Sequence, residues 1–450
     1  MDYLKNKDLK IFFSGIGGVS MSAIAAALKQ SGYEICGSDI SESETVNALR
    51  EMGIKIFSGH KSENIENCGL LVYNARIKED NPEIIRAKEL NIPAIPRAKI
   101  LGELMRIGGV SIGISGTHGK TTVTSMISEI FTQAGKEPSF FIGAPPLDSA
   151  YKMGKNDYFI AESDEYQDQF LDLYPNISLI LNIEMDHPDF FPDLNAVISS
   201  FEKFLGNTSE AAVICAEDKN AAAAVKNFKG EVLTYSLIDP LSGIFVKNIY
   251  YPGGFPEFDI LADGEIYAHI KLPVPGEYNI YNAAAAASAA YKCRIEGKFV
   301  EQGLNKFKGA GRRFEYKGTL NGAAVYDDYA HHPTEIKKTL LEAQKIAKNK
   351  NGSLWYVFQP HTYSRTYNLF GGFCEALSFS GHLVLTGIYS AAEKNIYGIS
   401  SGDIAAKLQN CVLIEDFFEI AKYLKKNAGP NDLIIIAGAG DITDLTKMLV

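Results

Sequence analysis

The chain has 450 residues, which at roughly 150 per domain predicts about three domains. Apolar residues make up 46% and charged residues 22%, so wholesale disorder is excluded, and 40 glycines and 17 prolines without a Gly-X-Y period exclude collagen. A formal charge of -10 argues against a general nucleic-acid binder, whose phosphate footprint needs excess cation; a local basic pocket for an anionic small molecule stays compatible with it.

Along the chain, Lys10–Ser14 predicts a buried strand, followed by Gly15-Ile16-Gly17-Gly18. A helix is predicted over 20–31 and a second strand over 34–37, ending at Ser38-Asp39. This is a β-turn-α-β unit of about thirty residues. Gly15, Gly17 and Gly18 stand where a dinucleotide fingerprint stands, with Ser20 in the third-glycine place and Asp39 at the end of the next strand. Such a turn reports a bound diphosphate without saying which one, and NAD is the default for a lone example. Alternation of strands and helices continues through 70–74 to Ile95, and a new unit opens at Val110. Later strands are predicted over 158–161, 178–182 and 211–215. Shorter, alternating strands between about 235 and 272 suggest a small antiparallel insert. An alanine-rich helix over 279–291 follows. The last α/β block starts near Phe314, with strands over 324–326, 354–358, 382–385 and 433–436. The fold class is therefore α/β in three domains, taken as 1–107, 108–311 and 312–450. The first and third are Rossmann-like and the second is a P-loop-type ATPase domain.

The strongest signal is Gly116-Thr117-His118-Gly119-Lys120-Thr121-Thr122, between an apolar strand and a helix. A helix start offers free N–H groups and the positive dipole end to phosphate oxygens, and glycines let the backbone wrap an anion. Lys120 is placed for the β- and γ-phosphates of a nucleotide, and the Thr121 hydroxyl for Mg²⁺. Gly113 lies six positions before Gly119, where the common loop has five, so this is a related, altered loop. Glu162-Ser163-Asp164-Glu165 and Glu184-Met185-Asp186-His187 follow two of the predicted strands. In a doubly wound sheet both emerge at the carboxyl edge beside the phosphate loop, where carboxylates can hold Mg²⁺ directly or through water. His187 is a less expected magnesium ligand and could serve a second metal position or a phosphate. With two phosphate-binding turns in one chain, a nucleotide-diphosphate substrate plus ATP is more economical than a dehydrogenase.

The ordered set 116–122, 182–187, 279–282, Gly311-Arg312-Arg313-Phe314 and 326–334 (YDDYAHHPT) covers the whole chain and resembles the Mur ligase family. Stretches 15–22 (GIGGVSMS), 95–106 (IPRAKILGELMR), His331-His332-Pro333-Thr334 and 358–366 (FQPHTYSRT) are most similar to the members that join L-alanine to UDP-N-acetylmuramate. A related branch attaches a ready-made tripeptide to the same sugar nucleotide, and 358–366 favours alanine. The resemblance implies ATP and Mg²⁺ as cofactors and an acyl-phosphate route. It places the sugar nucleotide on Gly15, Gly17, Gly18, Ser20, Asp39 and Asn74. It implies ATP contacts from Gly116, Thr117, His118, Gly119, Lys120, Thr121 and Thr122, adenine contacts from Asn279 and Asn282, a phosphate or ribose contact from Arg313 and a ribose contact from Asp328. Metal positions fall on Thr121, Glu162, Glu165 and His187, the two glutamates sharing one short loop. Tyr329, His331 and Arg365 fall on the amino-acid side, and Lys120, His187, His332 and Arg365 are the catalytic candidates. Arg365 could grip the alanine carboxylate or the transferring phosphate through a bidentate fork. Two departures stand out: Thr362 replaces a frequent second arginine, and Asn74-Ala75-Arg76 stands where small residues are usual. A nicotinamide oxidoreductase would leave 116–122 unexplained, and a non-catalytic nucleotide-binding regulator would leave Lys120, Thr121, Glu162 and His187 without a purpose.

Cys36, Cys68, Cys215, Cys293, Cys374 and Cys411 are scattered singly, which predicts buried reduced thiols rather than a disulfide scaffold or a Cys-x-x-Cys site. The charged N-terminus without an apolar core, and the lack of any stretch near ~18 apolar residues, predict a cytoplasmic enzyme with no membrane partner; monomer and homodimer both stay open.

Overall fold

The computed structural model describes residues 3–74, 77–143, 150–155, 157–391 and 393–450. Ala75 and Arg76, part of the second departure noted above, lie outside the described residues. No helix among them is long and apolar enough to cross a membrane.

Three sheets carry the chain. The first runs β3-β2-β1-β4-β5, from β1 (Lys10–Ser14), β2 (Glu34–Asp39), β3 (Lys55–Ser58), β4 (Leu70–Tyr73) and β5 (Ala94–Pro96). All its pairs are parallel, which explains the near-continuous apolar runs, since helices cover both faces of such a sheet. The helix Val19–Gln30 is buried from Met21 to Leu28 and alanine-rich, so it fits between this sheet and the next block. There Gln30 Nε2 donates to the Tyr151 hydroxyl, 2.9 Å away.

The second sheet has ten strands: β6 (Val110–Ser115), β7 (Ser139–Phe141), β8 (Tyr151–Lys152), β9 (Tyr158–Glu162), β10 (Ile177–Ile180), β11 (Ala211–Cys215), β12 (Glu231–Ser236), β13 (Ile244–Tyr250), β14 (Glu257–Ala262) and β15 (Glu265–Lys271). Their order is β15-β14-β13-β12-β11-β10-β6-β9-β7-β8. The antiparallel strands expected as a small insert are present as β13 to β15, but they continue the main sheet, because β13 pairs in parallel with β12. The alanine helix, Glu277–Lys292, packs against this sheet and against the helix Lys120–Gln133, and its run of alanines is fully buried. Small side chains let it approach both partners closely.

The third sheet, β16 (Glu315–Leu320), β17 (Ala323–Asp328), β18 (Leu354–Phe358), β19 (His382–Leu385), β20 (Cys411–Leu413) and β21 (Leu433–Ala437), is ordered β16-β17-β21-β18-β19-β20. Only its β16–β17 pair is antiparallel. Separate apolar clusters fill its two faces. Of the cysteines, Cys36, Cys68 and Cys215 are buried, whereas Cys293, Cys374 and Cys411 are half-buried, so burial is not general. The fold also brings Cys36 and Cys68 together, Sγ to Sγ 3.8 Å, although 32 residues separate them.

Candidate active site

At the end of β1 the chain turns through Gly15 at φ 76°, a left-handed conformation that favours glycine. The Gly15 and Ile16 N–H groups donate to the Ser38 carbonyl. Asp39 accepts from Gly17 N–H at 2.8 Å and from Ser41 N–H at 3.0 Å. Its carboxylate therefore anchors the turn from the end of β2. A Cβ on Gly15 would lie 2.7 Å from Asn74 Nδ2, which puts Asn74 at the turn. Gly18 precedes the helix Val19–Gln30, and Ser20 faces a cavity shared with the phosphate loop.

The phosphate loop follows β6. Gly116 has φ 139° and Gly119 φ 91°; a Cβ on Gly119 would sit 2.7 Å from Asn282 Oδ1. The loop is laced to the end of β10. Thr117 N–H donates to the Asn182 carbonyl (3.0 Å), His118 N–H to Asn182 Oδ1 (2.8 Å) and Glu184 N–H to Thr117 Oγ1 (2.9 Å). Lys120 opens the helix Lys120–Gln133 and donates to the Gly116 carbonyl and to both Glu165 oxygens, at 3.0 and 2.9 Å. Burial disfavours its charge, yet the Glu165, Asp164 and Glu162 carboxylates outweigh this and raise its pKa.

The two acidic strand ends converge on that lysine. Glu162 ends β9. Burial raises its pKa against the opposing pull of Gly143 N–H, Thr121 and Lys120, and its Oε1 is buried without a hydrogen-bond partner. Asp164, Glu165 and His187 bring one ligand atom each to within 4.8 Å of one another. His187, at φ 52°, packs its ring at a tilt of 33° against Tyr166, centroids 4.6 Å apart. An orphaned buried carboxylate oxygen, a threonine hydroxyl and further carboxylates form a donor set that fits a hard divalent cation.

A cavity of about 270 Å³ runs beyond the loop past Tyr278, Asn279, Asn282, Arg313 and Asp328. Asn279 Nδ2 donates to the Pro275 carbonyl and its Oδ1 accepts from Asn282, so both amides are fixed. Asp328 accepts from Phe314 and Ala330 N–H; burial raises its pKa to about 6 despite Arg313 nearby. The Arg313 guanidinium lies over the Tyr329 ring, 4.6 Å from its centre. A second cavity, about 280 Å³, is lined from all three blocks: Ser20 and Arg97, then Lys120, Thr121, Glu162 and His187, then Arg313, Tyr329 and His331.

The third block closes on the second through named bonds. His118 lies between Glu335 (Nδ1 to Oε1, 3.2 Å) and Glu184 (Nε2 to Oε2, 3.5 Å). Burial opposes its charge, but the two carboxylates prevail and lift its pKa to about 9. Thr334 donates to Glu184 Oε2 at 2.7 Å. His332 caps the helix Pro333–Asn349, its Nδ1 accepting from Thr334 N–H, and its ring sits 5.0 Å from that of His118. Burial keeps it neutral, and its Nε2 is buried without a partner. It lies outside both cavity linings. His331 is likewise held neutral by burial, its pKa pushed down to about 3. Its Nδ1 donates to the Tyr329 carbonyl at 3.0 Å, which leaves Nε2 as an acceptor. Arg365 Nη2 donates to Asp186 at 3.2 Å, and its Nε is buried without a partner. Thr362 caps the helix Tyr363–Asn368 at φ 66°, a strained conformation for a β-branched residue.

With this geometry in view, comparison with known proteins identifies the chain in three consecutive stretches. The profile "Mur ligase family, catalytic domain" matches residues 10–107, "Mur ligase middle domain" 114–290 and "Mur ligase, glutamate ligase domain" 312–440. The chain belongs to the Mur ligase family. As a Mur ligase it is an ATP-dependent ligase with that family's three-part α/β fold. It is 42% identical over 450 residues to the UDP-N-acetylmuramate--L-alanine ligase of Caldicellulosiruptor bescii, covering 98% of each chain. It is 41% identical to the ligase of the same name from Clostridium tetani, covering 96% of each. The crystal structure of UDP-N-acetylmuramate-alanine ligase from Thermotoga maritima superposes with a TM-score of 0.82 at 28% identity, over 98% of both chains. A murein peptide ligase from Psychrobacter arcticus gives 0.74 at 23% identity and shows the shared fold.

The Mur ligase site also contains residues to which the sequence assigns no individual role. Glu184 and Asp186 share a strand end with His187, a signal that was present. Glu335 sits three residues after a capping residue, as in a capping box. Arg97 lies inside 95–106, a stretch that carries the family resemblance but gives this residue no role of its own; the fold brings it to Lys120.

Proposed function

We propose that this Mur ligase joins L-alanine to the carboxylate of UDP-N-acetylmuramate at the expense of ATP, in cytoplasmic peptidoglycan precursor synthesis. One observation carries the reading: the phosphate loop opens into a cavity lined from all three blocks, in a chain 42% identical end to end to a ligase of that name. The cavity beside Tyr278 and Asn279 takes the adenosine of ATP, and the Gly15–Gly18 turn takes the sugar-nucleotide diphosphate.

A carboxylate acylates poorly, because its leaving group would be oxide. In the reaction proposed, a carboxylate oxygen of the muramate bonds to the γ-phosphorus of ATP while the bond to ADP breaks. The alanine amine then adds to the acyl carbon, and phosphate leaves with the electrons of the broken C–O bond. Lys120 releases Glu165 and meets the phosphoryl oxygens, where negative charge builds. Thr121, Glu162, Glu165 and His187 are the residues that would hold Mg²⁺, which supplies further charge neutralisation at the phosphates. The amine must be neutral to attack, and the proton it gives up passes to solvent or to the departing phosphate; His331, uncharged and with Nε2 open as an acceptor, takes a hydrogen bond from the amine and orients it. Arg365, placed by Asp186, binds the alanine carboxylate, and His332 positions His118 from behind.

The test is ADP and phosphate release from ATP with UDP-N-acetylmuramate, in the presence of L-Ala, L-Ser, Gly or the cell-wall tripeptide. Release dependent on both the sugar nucleotide and L-Ala is expected. Release without the sugar nucleotide, or with the tripeptide in preference to L-Ala, would contradict the reading.

A further inference from the structure

Arg97 opens the helix Arg97–Ile107 directly after Pro96, the last residue of β5. The first sheet thus delivers its guanidinium into the second cavity, beside Lys120, Glu162 and Asp164. Of five N–H donors, the described bonds spend one, from Nη2 to Gln169 Oε1. Burial pulls its pKa down while Asp164 and Glu162 push it up; the group stays charged in a place where a charge is costly without a partner.

The balance of that cavity defines what the partner is. Among the described residues, Glu162, Asp164, Glu165, Asp186 and Glu335 line it against Arg97, Lys120 and Arg313. A carboxylate nucleophile entering here meets carboxylates and a triphosphate, so its approach needs a cation of its own. Lys120 belongs to the phosphate loop, and Arg313 comes from the third block. Among the described residues that line the cavity, Arg97 is the cation on the same block as the Gly15–Gly18 turn. Ser20, Ala23 and Ile24, from the helix that starts at that turn, line the same cavity. A ligand whose diphosphate lies on the turn can extend along this helix face to Arg97.

We propose that Arg97 binds the acceptor carboxylate of the sugar nucleotide through its open N–H groups and holds it for phosphorylation. The assignment rests on the reaction proposed above. A planar guanidinium matches a carboxylate bidentately, which lysine cannot do.

The experiment compares wild type, Arg97→Gln and Arg97→Lys by calorimetric titration with UDP-N-acetylmuramate and with UDP-N-acetylglucosamine, which lacks the lactyl carboxylate. Thermal melts establish folding. Arg97→Gln is expected to weaken the muramate nucleotide about 10- to 100-fold and to leave the glucosamine nucleotide within about twofold, with Arg97→Lys in between. Equal weakening of both nucleotides, or of neither, would overturn the assignment while leaving the ligase reading intact. Wild-type protein that binds no muramate nucleotide would overturn both.

Discussion

Lys120 Nζ stands 2.9 Å from Glu165 Oε2 and 3.0 Å from Oε1, so a carboxylate beyond the end of the neighbouring strand holds the lysine of the phosphate loop. A bound triphosphate has to compete with that pair, and the lysine is delivered only when it succeeds. Lys120→Ala is expected to cut turnover at least about 100-fold, with sugar-nucleotide affinity nearly unchanged. ADP release and calorimetry check the two halves separately. A parallel loss of sugar-nucleotide binding would mean that the two ligands do not occupy separate parts of the fold.

His118 couples the second and third blocks through Glu184 and Glu335. Its pKa is raised in the folded state from 6.5 to about 9, so the stabilisation is complete below about pH 6.5 and lost as pH rises through about 9. Glu184 is held down at about 2, so its share persists above about pH 4.5 and disappears as pH falls through about 2. The latch is therefore fullest between about pH 4.5 and 6.5. His118→Gln should lower stability by about 1–3 kcal/mol at pH 6 and by much less at pH 10, as read from denaturant melts across pH. Curves that stay parallel for wild type and variant would contradict the coupling.

Gly119→Ala meets two obstacles. The φ of 91° is unfavourable for any L side chain, and the new Cβ would approach Asn282 Oδ1 to 2.7 Å. A loss of about 1–3 kcal/mol in stability, with weakened binding of a nonhydrolysable ATP analogue, is expected from melts and titration.

Glu162 bears a buried oxygen without a partner and a pKa raised by burial. Glu162→Gln should raise the Mg²⁺ concentration for half-maximal activity about tenfold or more. Melting of the metal-free protein should stay constant or rise, because a costly buried charge is removed. Loss of stability without a shift in the Mg²⁺ requirement would make Glu162 structural.

Much of this site was legible in the sequence, because its strongest parts are local. Strands such as Lys10–Ser14 and Leu354–Phe358, and the loop 116–122, are fixed by apolar runs, glycines and the helix start beside them. What stayed hidden are the pairings across long separations. His118 meets Glu335 across 217 residues, Arg365 meets Asp186 across 179, and Thr334 meets Glu184 across 150. Periodicity says which face of a strand or helix is apolar, not which edge of which sheet it will face. The same limit explains β13 to β15: alternation disclosed the strands, while their attachment to β12 depends on backbone pairing that leaves no residue pattern.

The central claim is that the muramate carboxylate is phosphorylated at the loop before the amine attacks. It is tested most directly with UDP-N-acetylmuramate carrying ¹⁸O in both carboxylate oxygens, ATP and L-Ala, followed by mass analysis of the released phosphate. One ¹⁸O per phosphate is predicted, with the other retained in the new amide. Phosphate free of ¹⁸O would contradict the account.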